Sequence, residues 1–313
     1  MLTVGQEASL LTEINAGSDI RAVAFAANGE YLVSGGSEGV RVWRVEDGKQ
    51  MATLEAEYVW CLAVSKDGGR IAAGTWLGEV FVWDTKTYEK VFSRKEDYHQ
   101  INGVDFSPDS TRLVSASANS TATIWDIATR ERVQTLQHDE WVTAAKYSPE
   151  GDRIATAARN CVRVWDSDNG RLLVNIGATV SSWYNTGLLW FNNYLFVLSD
   201  RKIKQFEAST GSAVSEWPDN YSSCIALPKH GKFIAYSTQR AVTFWDTATH
   251  IQLGLIQHSE DIDSFALSPD DRFLAIGGNG KITINSLFTI AVSILSRWIV
   301  VHSNNSLAPI ILP

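Results

Sequence analysis

VRVWDSDNGRLL occupies residues 162–173, and its first four letters, VRVW, also stand at residues 40–43. Apolar side chains there alternate with a residue between them, the period of a strand and not the 3.6 of a helix. VFVW at 80–83, ATIW at 122–125 and VTFW at 242–245 share the apolar-x-apolar-Trp ending, and IKQF at 203–206 and ITIN at 282–285 fill the two remaining places. The endings fall at 43, 83, 125, 165, 206, 245 and 285, so successive copies lie 39 to 42 residues apart. A fixed period of this length marks an array of repeated units, here seven of them.

Each ending is preceded by a second alternating stretch. VDFSPDSTRLVSAS (104–117), AKYSPEGDRIATAA (145–158) and FALSPDDRFLAIGG (265–278) all place Ser-Pro and an acidic residue between two apolar runs. Proline fixes φ and the acidic side chain can bond its own backbone, so this step turns the chain. One unit therefore reads as strand, Ser-Pro-Asp turn, strand, short polar hairpin, strand ending in Trp, turn, strand. The hairpins hold Gly, Ser and Asn, as in GGSEG (35–39) and GGNG (277–280). Neither run has the spacing of a phosphate-binding loop, and no helical pattern follows. Four short strands repeated seven times predict an all-β fold, a seven-bladed β-propeller of four-stranded antiparallel blades. Such blades bury both faces against their neighbours and leave few open edges.

With Trp83-Asp84, Trp125-Asp126, Trp165-Asp166 and Trp245-Asp246, and the turns Ser107–Asp109 and Ser268–Asp270, the chain resembles the tryptophan-aspartate (WD) repeat family over about residues 5–285. In the wording of VRVWDSDNGRLL and ATIWDIATRERVQTLQHDEWV (122–142) it is most similar to fungal WD-repeat arrays, which occur alone or attached to NACHT-type signalling ATPases. That resemblance implies a standalone or truncated sensor-like array, since no nucleotide-binding part is visible. It also implies a buried network of His, Ser or Thr, Asp and Trp in each blade. His138, Thr156, Asn160 and Trp165 come nearest, with Asn for Asp, and His258 takes the same slot in the last repeat beside Asn285. Both histidines are expected to be scaffold residues, not ligands or bases. The family closes its ring with an N-terminal strand, and SLLTEIN (9–15) resembles the outer strands QMATL (50–54) and RVQTL (132–136). It is expected to pair with the strand around 281–285.

Composition narrows the classes. In 313 residues 45% are hydrophobic and 20% charged, enough for a sizeable core. A formal net charge of −8, with no Lys/Arg stripe, argues against nucleic acid as a partner. Cys61, Cys161 and Cys224 form no C-x-x-C pair and fit a reducing compartment. The start MLTVGQEASLLTE does not read as a secretory signal, and a cytoplasmic or nuclear site is expected.

The repeat accounts for Trp43, Trp83, Trp125, Trp165 and Trp245; Trp60, Trp76, Trp141, Trp183, Trp190, Trp217 and Trp298 stand outside it. Large aromatics off the structural pattern point to a binding surface, because they give much contact area at small entropic cost. Each innermost strand is expected to begin with a buried apolar residue: Ile20, Val59, Ile101, Val142 and Ile262. The family contacts partners through the residues flanking it and through the hairpin tip. The flanks are Asp19 and Arg21, Tyr58 and Trp60, Gln100 and Asn102, Trp141 and Thr143, and Asp261 and Asp263, with Tyr184 and Tyr221 taken for the two irregular blades and Trp76 at a hairpin tip. The expected partner is a protein or peptide segment with apolar anchors and basic neighbours. No cofactor and no metal are expected, and the chain reads as a monomer or a subunit of a larger assembly.

Two other classes are weighed. Asp19, Asp261 and Asp263 invite an enzymatic reading, but no nucleophile, base and orienting group come together. Residues 286–313 leave the repeat as a divergent apolar tail, whose run 286–301 is about sixteen residues long and holds Arg297. That is short of the ~18–20 residues of a spanning helix, so no membrane association is expected.

Overall fold

The computed structural model describes residues 10–178, 180, 187–199, 202–218 and 224–287. They form seven four-stranded antiparallel sheets, the blades. Blade one runs outward from Ile20–Phe25 through Tyr31–Gly36 and Gly39–Arg44 to Gln50–Leu54. Blades two to six repeat this order over 59–95, 101–137, 142–177, 188–218 and 225–257. The seventh consists of Ser264–Leu267, Phe273–Gly278 and Lys281–Ser286, with Leu10–Asn15 as its outermost strand. Leu10 faces Asn285 and Asn15 faces Lys281, so the N-terminal strand closes the ring as the sequence predicts.

Burial explains the alternation. The second strand of a blade has a sheet neighbour on each side and a blade on each face, and Arg70–Thr75, Arg112–Ser117 and Arg153–Ala158 are buried at all but their first residue. Outermost strands such as Gln50–Leu54 bury one residue, half-bury Ala52 and expose the other three. The apolar core is divided into seven clusters, each straddling two neighbouring blades. Trp83 of blade two packs with Val40 and Val42 of blade one, and Trp125 of blade three with Val80 and Phe92 of blade two. The periodic tryptophan is thus a wedge driven into the preceding blade.

The Asp after it does separate work. Asp84 accepts the backbone N–H of Lys86 and Thr87 at 2.8 and 2.9 Å, and Asp246 accepts those of Ala248 and Thr249 at 3.0 and 2.7 Å. These bonds tie the turn into the outermost strand and hold the Asp84 carboxyl below the usual range. In the Ser-Pro-Asp turn, the Ser107 hydroxyl donates to Asp109 at 2.6 Å while accepting the Arg112 N–H at 2.9 Å.

Neighbouring blades interlock through missing side chains. A Cβ on Gly35 would meet Val59 Cγ1 at 2.4 Å, and one on Gly277 would meet Ile20 Cγ2 at 2.7 Å. The first apolar residue of an innermost strand therefore fits into a notch in the previous blade. Ile20, Val59, Ile101 and Val142 open their strands and are buried as expected; Ile262, also buried, lies ahead of Ser264–Leu267.

Candidate functional site

The rim where innermost strands begin has a local feature in blades one to four. Ile20 faces Gly36 but Ala22 faces Gly35, and the same slip separates Val59 from Cys61, Ile101 from Gly103 and Val142 from Ala144. A bulge of this kind re-aims the extra side chain. The extra residues are Arg21, Trp60, Asn102 and Thr143.

On blade two the bulge sets Trp60 against Trp76, with ring centroids 5.1 Å apart in a T-shaped contact. Trp76 keeps 52% of its surface exposed on the hairpin tip. Its backbone N–H donates to the Tyr58 carbonyl at 2.9 Å, and Tyr58, whose ring is exposed, adopts a φ of +53°, a left-handed conformation uncommon outside glycine. On the other side of Trp60, the Arg21 guanidinium carbon lies 5.6 Å from the ring centroid. Arg21 also reaches Asp263 Oδ1 and Asp19 Oδ2, each at 3.4 Å. Trp76, Trp60, Arg21 and Asp263 form one continuous row across blades two, one and seven.

The carboxylates differ in environment. Burial raises Asp263 above its ordinary value against the opposing pull of Arg21. Asp261 is held low by a 2.8 Å bond from Arg240, with Gln239 donating at 3.2 Å. Each acid is engaged by an arginine. Among the described residues no group of three His, Cys, Asp or Glu is placed to hold a metal ion, and no helix is long and apolar enough to cross a membrane.

Other expected contact residues separate. Trp141 is exposed on blade four, two blades beyond Trp60. Thr143 donates to the Ala157 carbonyl at 3.2 Å inside its own blade, and the Gln100 carbonyl receives the Ala118 N–H at 2.9 Å. Asn102 corrects the expectation: it is buried, and its side-chain amide donates to Val142 O at 2.8 Å, joining the innermost strands of blades three and four. Trp217 is likewise a core residue, with 1% of its surface exposed, packed with Phe196 and Ile225. Trp190 is half-buried against the cluster between blades four and five. Tyr184 and Tyr221, with Trp183 and Trp298, lie outside the described residues, as does the tail from residue 288.

One exposed aromatic escapes a reading confined to strand flanks. Tyr98, 86% exposed, sits in the loop entering blade three with the Lys95 ammonium 4.3 Å from its ring centroid. A Cβ on Gly78, in the Trp76 hairpin, would lie 2.1 Å from Asp97 O, so the two loops abut. The available signal was the loop EDYHQ (96–100), one residue longer than the entry loop of blade two, EAEY (55–58).

The buried network takes two forms below this rim. In blade four His138 Nε2 lies 2.9 Å from Thr156 Oγ1, which accepts Trp165 Nε1–H at 2.7 Å. Asn160 is exposed and outside the set. Burial holds the imidazole neutral, down to about 4. In blade three the corresponding apex is a carboxyl: Ser115 donates to Glu96 and accepts Trp125 Nε1–H at 2.9 Å. Burial there raises Glu96 to about 7, partly offset by the Ser115 bond.

Comparison with known proteins agrees with this architecture. Residues 19–286 match the family model described as the IFT122 first beta-propeller. Among relatives, the transcription factor unc-37 of Caenorhabditis elegans is 22% identical over 298 residues, covering 86% of this chain and 47% of that protein. Cilia- and flagella-associated protein 52 of Mus musculus is 22% identical over 275 residues, 83% of this chain and 37% of its own length. WD repeat-containing protein 1 of the same species is 39% identical over 117 residues, 36% of this chain and 17% of its own. The chain spans less than half the length of these relatives. With seven blades, five of them carrying the periodic tryptophan, closed by an N-terminal strand, the chain belongs to the WD-repeat β-propeller family matched by the IFT122 first propeller.

Proposed function

We propose that the chain is a non-enzymatic interaction module that presents the rim around Trp60 and Trp76 to a protein or peptide partner. WD-repeat propellers as a family mediate protein–protein contacts, and function on such a fold must be argued from the site. The observation that carries the reading is the row Trp76–Trp60–Arg21, aromatic surface held at a bulge and a hairpin tip where the scaffold does not need it. Tyr58 and Tyr98 extend that surface, and Trp141, Gln100, Asp19 and Asp261 lie further round the same rim.

We propose further that the chain works in the cytoplasm or nucleus as a monomer or a subunit of a larger assembly, with residues 5–285 as the propeller and 286–313 as an appended segment. In the fungal setting that the repeat wording resembles, it is the sensor-like part of a signalling system whose output lies elsewhere. The test is paired affinity capture from native extract with wild type and the Trp60→Ala/Trp76→Ala variant. Loss of the captured protein with an unchanged melting temperature supports the proposal; equal capture by both refutes it.

A further inference from the structure

The entry loops on this rim have a one-sided composition. In blades one, two, three, four and seven, AGSD (16–19), EAEY (55–58), EDYHQ (96–100), HDEW (138–141) and HSEDID (258–263) contain acidic residues and no lysine or arginine, whereas ATVSSWYNTG (178–187), ahead of blade five, holds no charged residue. The opposite rim mixes both signs, as in SKDGG (65–69), SPDDR (268–272), RVEDGK (44–49) and DTKTYE (84–89). The entry loops beside the exposed aromatics are thus acidic, and the cations near them, Arg21, Arg163 and Arg240, come from neighbouring strands and hairpins.

Within that field Arg240 pairs with Asp261 and Arg163 with Asp139, and a third cation is set against an aromatic ring. Arg21 lies against the Trp60 ring and between Asp19 and Asp263, two carboxylates sharing one guanidinium. Both ion pairs are 3.4 Å long, against the ~2.7–2.9 Å of a well-formed charge-assisted bond. Asp19 is more than half exposed, and the Trp60–Trp76 pair borders the place where the guanidinium sits. An aromatic face with carboxylates beside it is the arrangement that attracts a cationic side chain.

Building on the rim reading above, we infer that the partner is a basic linear segment, and that one of its arginine or lysine side chains takes the place of Arg21 between Trp60 and the Asp19–Asp263 pair while a neighbouring apolar residue rests on Trp76 and Tyr58. Arg21 is then an internal stand-in, cheap to displace because its two ion pairs are long and one partner is solvent-exposed. Complementary charge sets the encounter rate, and the tryptophan pair supplies most of the affinity.

The probe is a fluorescein-labelled peptide of alternating Arg and Leu, set against the same peptide with citrulline for arginine, read by fluorescence anisotropy with the full chain. The arginine peptide should bind at least tenfold more tightly than the citrulline peptide and weaken with added salt. Arg21→Ala should tighten arginine-peptide binding severalfold, because the stand-in is gone; Asp263→Asn should weaken it about tenfold. Equal binding of the two peptides, no change or a loss with Arg21→Ala, or no binding of either peptide would overturn the inference. Arg21→Ala keeps the test valid if Asp263→Asn fails to fold. Should both peptides bind equally and Trp60→Ala/Trp76→Ala abolish both, the rim reading would stand and the cation exchange alone would fall.

Discussion

Ile101 of blade three seats its Cγ2 methyl 2.4 Å from the point where Gly74 of blade two would carry a Cβ. This notch, repeated at Gly35 and Gly277, sets how closely blades approach the axis. Gly74→Ala forces Ile101 out of place at a cost of about 1–3 kcal/mol, the usual range for overpacking. Gly254 in an outer strand is the control, since nothing lies within 4 Å of its Cβ position. Gly254→Ala should leave the thermal midpoint level or raise it slightly. Calorimetry on the two variants measures the difference, and equal midpoints would show that the notch does not govern packing.

The two tryptophans of TWLGEVFVW (75–83) should differ severalfold in the cost of truncation. Trp83 has 2% of its surface exposed in the cluster between blades one and two, so Trp83→Ala should cost about 3–5 kcal/mol. Trp76→Ala loses an aromatic contact at the surface and should cost about 1 kcal/mol or less. Urea unfolding curves separate the pair.

Glu96 and His138 should oppose each other in the pH dependence of stability. Glu96 is raised from 4.5 to about 7 in the fold, so between those values the folded state holds a proton that the unfolded chain has lost, and stability falls as pH rises. His138 is lowered from 6.5 to about 4, so across that interval the unfolded chain holds the extra proton and stability rises with pH. Each effect is about 3 kcal/mol in size. Glu96→Gln should expose the rise that His138 produces between pH 4 and 6.5, and it should stabilise the protein at pH 8. A stability profile unchanged by Glu96→Gln would disprove the assignment.

Removing residues 1–15 strips blade seven of its outermost strand and opens the ring. The midpoint should fall sharply, because Ile14 leaves the cluster it shares with Trp43 and Ile282. An unchanged midpoint would mean that closure there contributes little.

The fold was legible because its signals are periodic and local. VRVW and its relatives recur on schedule, and the Ser-Pro-Asp and Trp-Asp pairs each satisfy backbone groups within a few residues. The rim was legible only in outline. Trp60 and Trp76 were identified because they break the schedule, but so does Trp217, which fills the core between blades five and six. Asn102 occupies the same bulge as Trp60, yet its amide reaches the next blade's backbone, a choice made by packing across 40 residues of sequence. Glu96 as the apex of a hydrogen-bonded network has no sequence signature, since its slot is fixed by Ser115 and Trp125 in three dimensions. The ion pairs that neutralise Asp261 and Asp263 are of the same kind: Arg240 and Arg21 come from different hairpins and blades.

The most direct test of the rim as the working surface is photo-crosslinking with benzoyl-phenylalanine placed at position 76 or, as an exposed control on the outer edge of blade four, at position 172. In native extract the account predicts a discrete crosslinked protein from position 76 and none from position 172. The reverse pattern, or identical products from both positions, would contradict it.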